Sequence, residues 1–368
     1  MWQYWPEHYN WSYQVVRILS QSQYGGGEVH EVLDTCSRIT PGNRDSFYRE
    51  WMHTANRTLA LANQALDRGR KETARAAYLR ASNYFRTAEF FLPHGDERKL
   101  DTYLKSVGAF HSAMELMDHP PVRVQIPYEN SFLPGYFYQV PGKSRTPLVI
   151  LFGGLDSTAE EMYYCLAPEM MARGMSVLGV EGPGQGAALR LNHLPTRHDM
   201  EVAGTAALEY ALKHLDIDPD RVAIMGFSMG GYHAARMAAF EPRFKACALY
   251  GAVYDYGEIW RSRPDNHPQA IHIMHVTGTD TIEAAREKLN KFTLKGVAEK
   301  IQCPTFIIHG EDDHHIPVSH AYRVFNDLTC PRELKIVPSG TPGSSHCQLD
   351  NFTQIFDMFD WLEEQLGA

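Results

Sequence analysis

Two hydropathy textures divide the chain. From about Asp45 to Leu92, apolar side chains recur every three or four residues and no strand-like run interrupts them. Trp51, Ala55, Thr58, Leu59, Ala62 and Leu66 share one face of a helix. Asp67-Arg68-Gly69-Arg70 then predicts a turn. Ala74, Ala77, Tyr78, Ala81, Tyr84, Phe85, Ala88 and Phe91 mark a second helix, which ends at Pro93. A further helix is expected from about Leu100 to Met117, stopped by Asp118-His119-Pro120-Pro121. A pair of helices cannot bury its own apolar face. Residues 1–120 are therefore expected to form a helical domain that packs on the remainder.

Beyond Pro121 the period shortens. Val122-Arg123-Val124-Gln125-Ile126 alternates, and Tyr136 to Val140 follows Pro134-Gly135, which predicts an antiparallel hairpin turned at that dipeptide. Short continuous apolar runs come next: Leu148 to Phe152, Val177 to Val180, Val222 to Met225, Ala246 to Tyr250, Thr305 to Ile308 and Leu334 to Val337. Helical segments separate them. Strands apolar on both faces and alternating with helices predict an α/β domain over 121–368, with a mostly parallel sheet covered on both sides. One interval breaks this rhythm. Between Trp260 and Cys303 lies a polar, helix-prone excursion containing Thr281 to Arg286, expected to be a lid-like insertion above the strand ends.

The chemistry centres on Gly226-Phe227-Ser228-Met229-Gly230-Gly231. A buried strand, Val222 to Met225, precedes it, and an Ala-rich helix from Tyr232 to Phe240 follows. Strand, sharp turn and helix is the setting in which G-x-S-x-G exposes a nucleophilic hydroxyl. A serine needs a base to take its proton and an acid to hold that base. In this order of elements the acid should follow a late strand and the histidine a later one. Asp313, after Thr305 to Ile308, is the expected acid, with Asp312 one residue away as the alternative. His346, after Leu334 to Val337, is the expected base. His309, His314, His315 and His320 beside this acidic pair suggest a metal cluster, but their spacing fits no standard site; neither metal nor cofactor is expected.

A tetrahedral intermediate also needs donors for its oxyanion. The Met229 N–H is the first expected donor. The second should come from Gly153-Gly154-Leu155-Asp156, whose glycines let the backbone approach substrate; by analogy with the histidine-glycine-X loop of G-x-S-x-G enzymes, Leu155 is preferred and Gly154 next. Tyr254, Asp255 and Glu258 follow the strand after the nucleophile helix, either as substrate contacts or as loop residues bonded locally. Glu181-Gly182-Pro183-Gly184-Gln185-Gly186 reads as a turn; it lacks the Gly-Lys-Ser/Thr ending of a phosphate loop.

Composition narrows the partners. A net charge of -9 gives no support to nucleic acid or to an anionic membrane surface, and no apolar run is long enough to span a bilayer. Six scattered cysteines without CxxC pairs predict free thiols, and the first residues show no secretion signal. A cytoplasmic enzyme acting on a small molecule is the expectation.

With these residues in view, the chain resembles the branch of α/β-hydrolases that carries an N-terminal helical cap. That branch includes 2,6-dihydroxypseudooxynicotine hydrolase and the fungal pigment hydrolases that shorten polyketide chains. The resemblance runs through the helices of Trp51 to Leu92, Arg123 to Tyr136, Gly153-Gly154-Leu155-Asp156-Ser157, Gly182-Pro183-Gly184-Gln185-Gly186, the elbow, and the Asp313 and His346 segments. It implies hydrolysis of a carbon–carbon bond beside a ketone, in a β-diketone or acyl-aromatic compound, through an acyl-enzyme on Ser228. It also implies a homodimer and an acidic side chain that positions substrate, for which Glu258 and Asp255 are the candidates. The alternatives are an esterase, thioesterase, lactone-forming cyclase or acyltransferase with the same triad, and a non-catalytic binding protein on this scaffold.

Overall fold

A computed structural model describes residues 1–368, the whole chain. It divides into two compact units: residues 2–121 with 163–165, and the remaining residues from 122 to 368 with residue 1.

The first unit is built from α1 (Tyr9–Gln21), α2 (Val29–Arg38), α3 (Arg44–Asp67), α4 (Lys71–Glu89) and α5 (Glu97–Met114). Asn43 and Asp96 start α3 and α5 by accepting the N–H groups of Ser46 and Arg98, which satisfies donors a helix start leaves open. Gly69, at φ 68°, closes α3 in the left-handed region that glycine enters without a steric penalty. The expected hairpin is therefore present. Trp11, Phe47, Trp51, Tyr84, Phe85 and Phe91 form its core, with Trp11 stacked on Phe91 at 4.8 Å. Tyr78 and Tyr84 donate their hydroxyls to Asn63 and Glu31 within this unit.

The second unit holds one eight-stranded sheet in the order β1-β2-β4-β3-β5-β6-β7-β8. Its strands are β1 (Val122–Tyr128), β2 (Ser131–Tyr138), β3 (Thr146–Phe152), β4 (Ser176–Val180), β5 (Ile217–Phe227), β6 (Ala246–Tyr250), β7 (Thr305–Gly310) and β8 (Arg332–Val337). From β4 to β8 every pairing is parallel, while β2 runs antiparallel to both β1 and β4. The helices are α6 (Ala159–Cys165, its last three residues counted with the first unit), α7 (Ala167–Ala172), α8 (Gly186–Arg190), α9 (Glu201–His214), α10 (Met229–Phe240), α11 (Tyr256–Arg261), α12 (Ala270–Thr277), α13 (Ile282–Leu289), α14 (Ser319–Asp327) and α15 (Phe356–Leu366). Every residue of β3, β4, β6 and β7 is buried, as continuous apolar runs require. No helix is long and apolar enough to cross a membrane.

Two expectations are corrected. The β1–β2 turn falls at Glu129-Asn130, with Glu129 at φ 49°, and Pro134-Gly135 lies inside β2. Gly135 serves close approach instead of turning: a Cβ there would stand 2.4 Å from the Gly179 carbonyl oxygen across the β2–β4 seam. The 260–303 excursion is also less polar than its α13 portion suggests. Trp260, Ile273, Val276, Leu289 and Phe292 are buried in the main core of this unit. Gly135→Ala should push β2 off β4 and cost roughly 1–3 kcal/mol, the usual range for overpacking; urea unfolding of the variant measures it.

Candidate active site

The parallel strands deliver their carboxyl ends to one edge, and the site is assembled from the loops that leave them. Ser228 sits between β5 and α10 at φ 58° and ψ -124°. A side-chain-bearing residue there is strained. The strain is held by the Ser228 N–H donating to the Tyr250 carbonyl at 2.8 Å, and by the Gly231 N–H donating to the Ser228 carbonyl at 2.8 Å. Both elbow glycines are sterically required. A Cβ on Gly226 would lie 1.9 Å from the Gly230 oxygen, and one on Gly230 would lie 2.5 Å from the oxygens of Phe152 and Gly153.

The loop after β8 turns His346 back onto this serine. His346 Nε2 lies 2.9 Å from Ser228 Oγ, and Nδ1 lies 2.6 Å from Asp313 Oδ2. With Asp313 accepting at Nδ1, Nε2 is left to accept from the hydroxyl. Asp313 and His346 are buried, whereas Ser228 is half-buried. The other carboxylate oxygen of Asp313 accepts two backbone N–H groups, from His315 and Ile316, each at 2.8 Å. Burial opposes both charges of this pair. Their mutual attraction outweighs it: Asp313 lifts His346 well above its usual value, and His346 holds Asp313 well below the carboxylate range.

Asp312 points elsewhere. It accepts from Ser339 Oγ, the Gly340 N–H and Ser344 Oγ, and these bonds hold its carboxyl down at about 2. Of the neighbouring histidines, His309 shares its Nε2 with the Ile316 carbonyl at 2.8 Å and lies 3.4 Å from Asp313. His315 is buried with its ring 5.0 Å from that of His346, and burial pushes its pKa far down. His320 accepts the N–H groups of Tyr254 and Asp255. No group of three or more His, Cys, Asp or Glu side chains is arranged to hold a metal ion.

The loop after β3 lies against the serine. A Cβ on Gly154 would stand 3.5 Å from Ser228 Oγ. The Gly154 N–H, expected as a possible oxyanion donor, is committed to Ser157 Oγ at 2.8 Å, so it is not free for a substrate oxygen. Leu155 N–H donates to no acceptor in the protein. Met229 opens α10, where an N–H has no intrahelical partner. Tyr254, Asp255 and Glu258 are engaged away from the triad. The Tyr254 hydroxyl donates to Asp327 at 2.6 Å, Asp255 caps α11 through the Glu258 N–H, and the Glu258 carboxylate pairs with Arg323 at 2.7 Å. A cavity of about 320 Å³ in the same unit, lined by Tyr128, Pro183, Leu194, Arg197, Lys288 and Phe292 among others, includes none of the three triad side chains.

Sequence reasoning passed over Gln185. It is buried, and its amide nitrogen donates to the Gly153 and Gly154 carbonyls at 2.6 and 2.9 Å. Arg190, bonded to Asp156 at 2.9 Å, holds the same loop one residue beyond Leu155. The available signal was the position of both residues just after β4, the strand beside β3.

A mostly parallel sheet with a strained serine elbow after β5, and acidic and histidine loops after β7 and β8, defines an α/β-hydrolase. Residues 16–366 match the FrsA-like esterase family model. Hydrolase LUC6 of a Fusarium species is 32% identical, over 97% of this chain and 96% of its own. The 20-hydroxy-prefusarin hydrolase FUS2 of Gibberella moniliformis is 33% identical, over 96% of this chain and 95% of its own. Among solved structures, 2,6-dihydroxy-pseudo-oxynicotine hydrolase superposes with a TM-score of 0.82 at 25% identity, over 95% of each chain. The chain belongs to the FrsA-like esterase family and, like these relatives, is a hydrolase.

Asp313→Asn should lower the titration midpoint of His346 by about 1–3 pH units, because burial alone disfavours the imidazolium. Asp312→Asn should leave it nearly unchanged. Ring-proton NMR against pH reads both.

Proposed function

We propose that this hydrolase works through Ser228, His346 and Asp313, and that it cleaves a carbon–carbon bond beside a ketone in a polyketide-like or acyl-aromatic substrate. The observation that carries the proposal is the unbroken relay from Ser228 Oγ to His346 to Asp313, with bonds of 2.9 and 2.6 Å. Ser228 Oγ attacks the carbonyl carbon while His346 Nε2 takes its proton. Asp313 stabilises the imidazolium, and the N–H groups of Leu155 and Met229 receive the oxyanion. The carbon–carbon bond then breaks. Its electron pair leaves on the enolate or ring carbon, which takes the proton from His346. Water, deprotonated by His346, attacks the acyl-enzyme and releases the acid and the serine.

The choice of a carbon leaving group rests on the resemblance to the helical-cap branch, with its pigment-shortening and 2,6-dihydroxypseudooxynicotine-cleaving members. The family description as esterases favours a second reading, an ester or thioester substrate on the same acyl-enzyme. Parallel turnover of a β-diketone and an aryl ester separates the two: cleavage of the ester alone removes the carbon–carbon reading.

Ser228→Ala should lower turnover by about 10⁴-fold or more with the fold retained, and the wild type should take a fluorophosphonate at Ser228. Undiminished activity in the variant would remove the mechanism. The pH profile carries its own sign. Protonated His346 cannot accept the serine proton, and its pKa is raised by Asp313. The ascending limb of kcat/KM should therefore lie above the usual histidine range. Asp313→Asn should shift that limb to lower pH while dropping the plateau by about 10⁴-fold.

A further inference from the structure

We infer that Gln185 is a positioning residue that aims the Leu155 N–H at the oxyanion. The inference rests on the serine mechanism proposed above. Gln185 stands at the start of α8, in the loop that leaves β4. Because β4 pairs in parallel with β3, this loop lies beside the oxyanion loop that leaves β3.

Gln185 is oriented before it acts. Its Oε1 accepts the Gly182 N–H at 2.9 Å, so the amide cannot flip without losing that bond. The nitrogen is thereby turned to the two consecutive carbonyls of Gly153 and Gly154, with both of its N–H groups used. A trans peptide is planar, and its N–H points opposite to its C=O. Holding the Gly153 carbonyl fixes the Gly154 N–H, which meets Ser157 Oγ. Holding the Gly154 carbonyl directs the Leu155 N–H away from Gln185. Gly154 lies against Ser228, and that N–H has no acceptor in the protein. One buried amide therefore sets two successive peptide planes.

Other ties between the two loops make this a joint and not a lone contact. The Gly186 N–H donates to the Ser157 carbonyl at 3.0 Å. Glu181, at the head of the second loop, accepts the Ala159 N–H at 2.8 Å and the Ala187 N–H at 2.7 Å. These ties hold the loops together whatever stands at 185. Gln185 is the side chain that donates hydrogen bonds to the carbonyls that set the donor direction. An oxyanion donor is worth roughly 10²- to 10³-fold in kcat when lost outright, so misalignment of one should cost somewhat less.

The test uses p-nitrophenyl acetate for turnover, a trifluoromethyl ketone as an analogue whose adduct carries an oxyanion, and acetate as a ground-state ligand. Gln185→Met keeps the length and removes both donors. It should lower kcat by roughly 10- to 100-fold with little change in KM, and weaken the ketone by a similar factor while acetate binding stays the same. Unchanged kcat in folded Gln185→Met would overturn the inference, as would equal weakening of ketone and acetate. If that variant does not fold, Gln185→Glu carries the question, since it retains the acceptor for Gly182. Its carboxylate would repel both carbonyls, whereas its acid form donates once. Its activity relative to wild type should therefore fall as pH rises, and a ratio independent of pH would overturn the inference. Wild-type protein that neither turns over the ester nor reacts at Ser228 would defeat the serine mechanism itself, an outcome separate from an insensitive Gln185 variant.

Discussion

The backbone of Ser228 is the constraint from which the site takes its geometry. A non-glycine residue in the left-handed region costs about 1–3 kcal/mol, and the chain meets that cost with rigid neighbours. A central strand paired on both sides over its last residues enters the turn, and a buried helix leaves it. The Tyr250 carbonyl, from the next strand, holds the Ser228 N–H. Gly226 and Gly230 pack so closely that any side chain would force the turn open. The hydroxyl is thus fixed by the sheet before any catalytic partner is considered.

The charged half of the site follows the same logic. Asp313 is a buried carboxylate, a costly group unless its lone pairs are met. Two backbone N–H groups take one oxygen and His346 takes the other. The loop that carries Asp313 folds around the carboxylate, and Asp312, adjacent in sequence, faces the opposite way into the 339–344 loop. The tight turn closed by the Asp313 N–H on the Gly310 carbonyl at 3.3 Å separates two chemically identical side chains that spacing alone could not.

Much of this architecture was legible because buried strands have few ways to be written. Runs such as Leu148 to Phe152 and Ala246 to Tyr250 are apolar on both faces, and a parallel sheet is the place for them. The elbow was legible because its glycines have a steric reason. Pro134-Gly135 misled because a glycine needed for close strand approach looks the same as one needed for a turn. The excursion after Trp260 was misjudged from its polar α13, while α12 contributes Ile273 and Val276 to the core. Tyr254, Asp255 and Glu258 stand at a strand end where substrate contacts are common, yet their side chains find Asp327, a helix cap and Arg323. Gln185 was passed over because a side chain bonded to carbonyls carries no spacing signature, and only its place in the loop after β4 pointed to it.

Most of the groups gathered around the reacting centre belong to the main chain. The N–H groups of His315 and Ile316 hold Asp313, and the carbonyl of Tyr250 holds Ser228, regardless of the side chains those residues bear; the Leu155 and Met229 N–H groups proposed for the oxyanion are main-chain donors too. Descendants of such a chain can exchange the side chains at these positions without disturbing the polar scaffold. Divergence toward new substrates is then a matter of repainting surfaces around a fixed frame. About a third of the aligned residues are identical to those of the fungal relatives, in alignments that cover nearly the whole length.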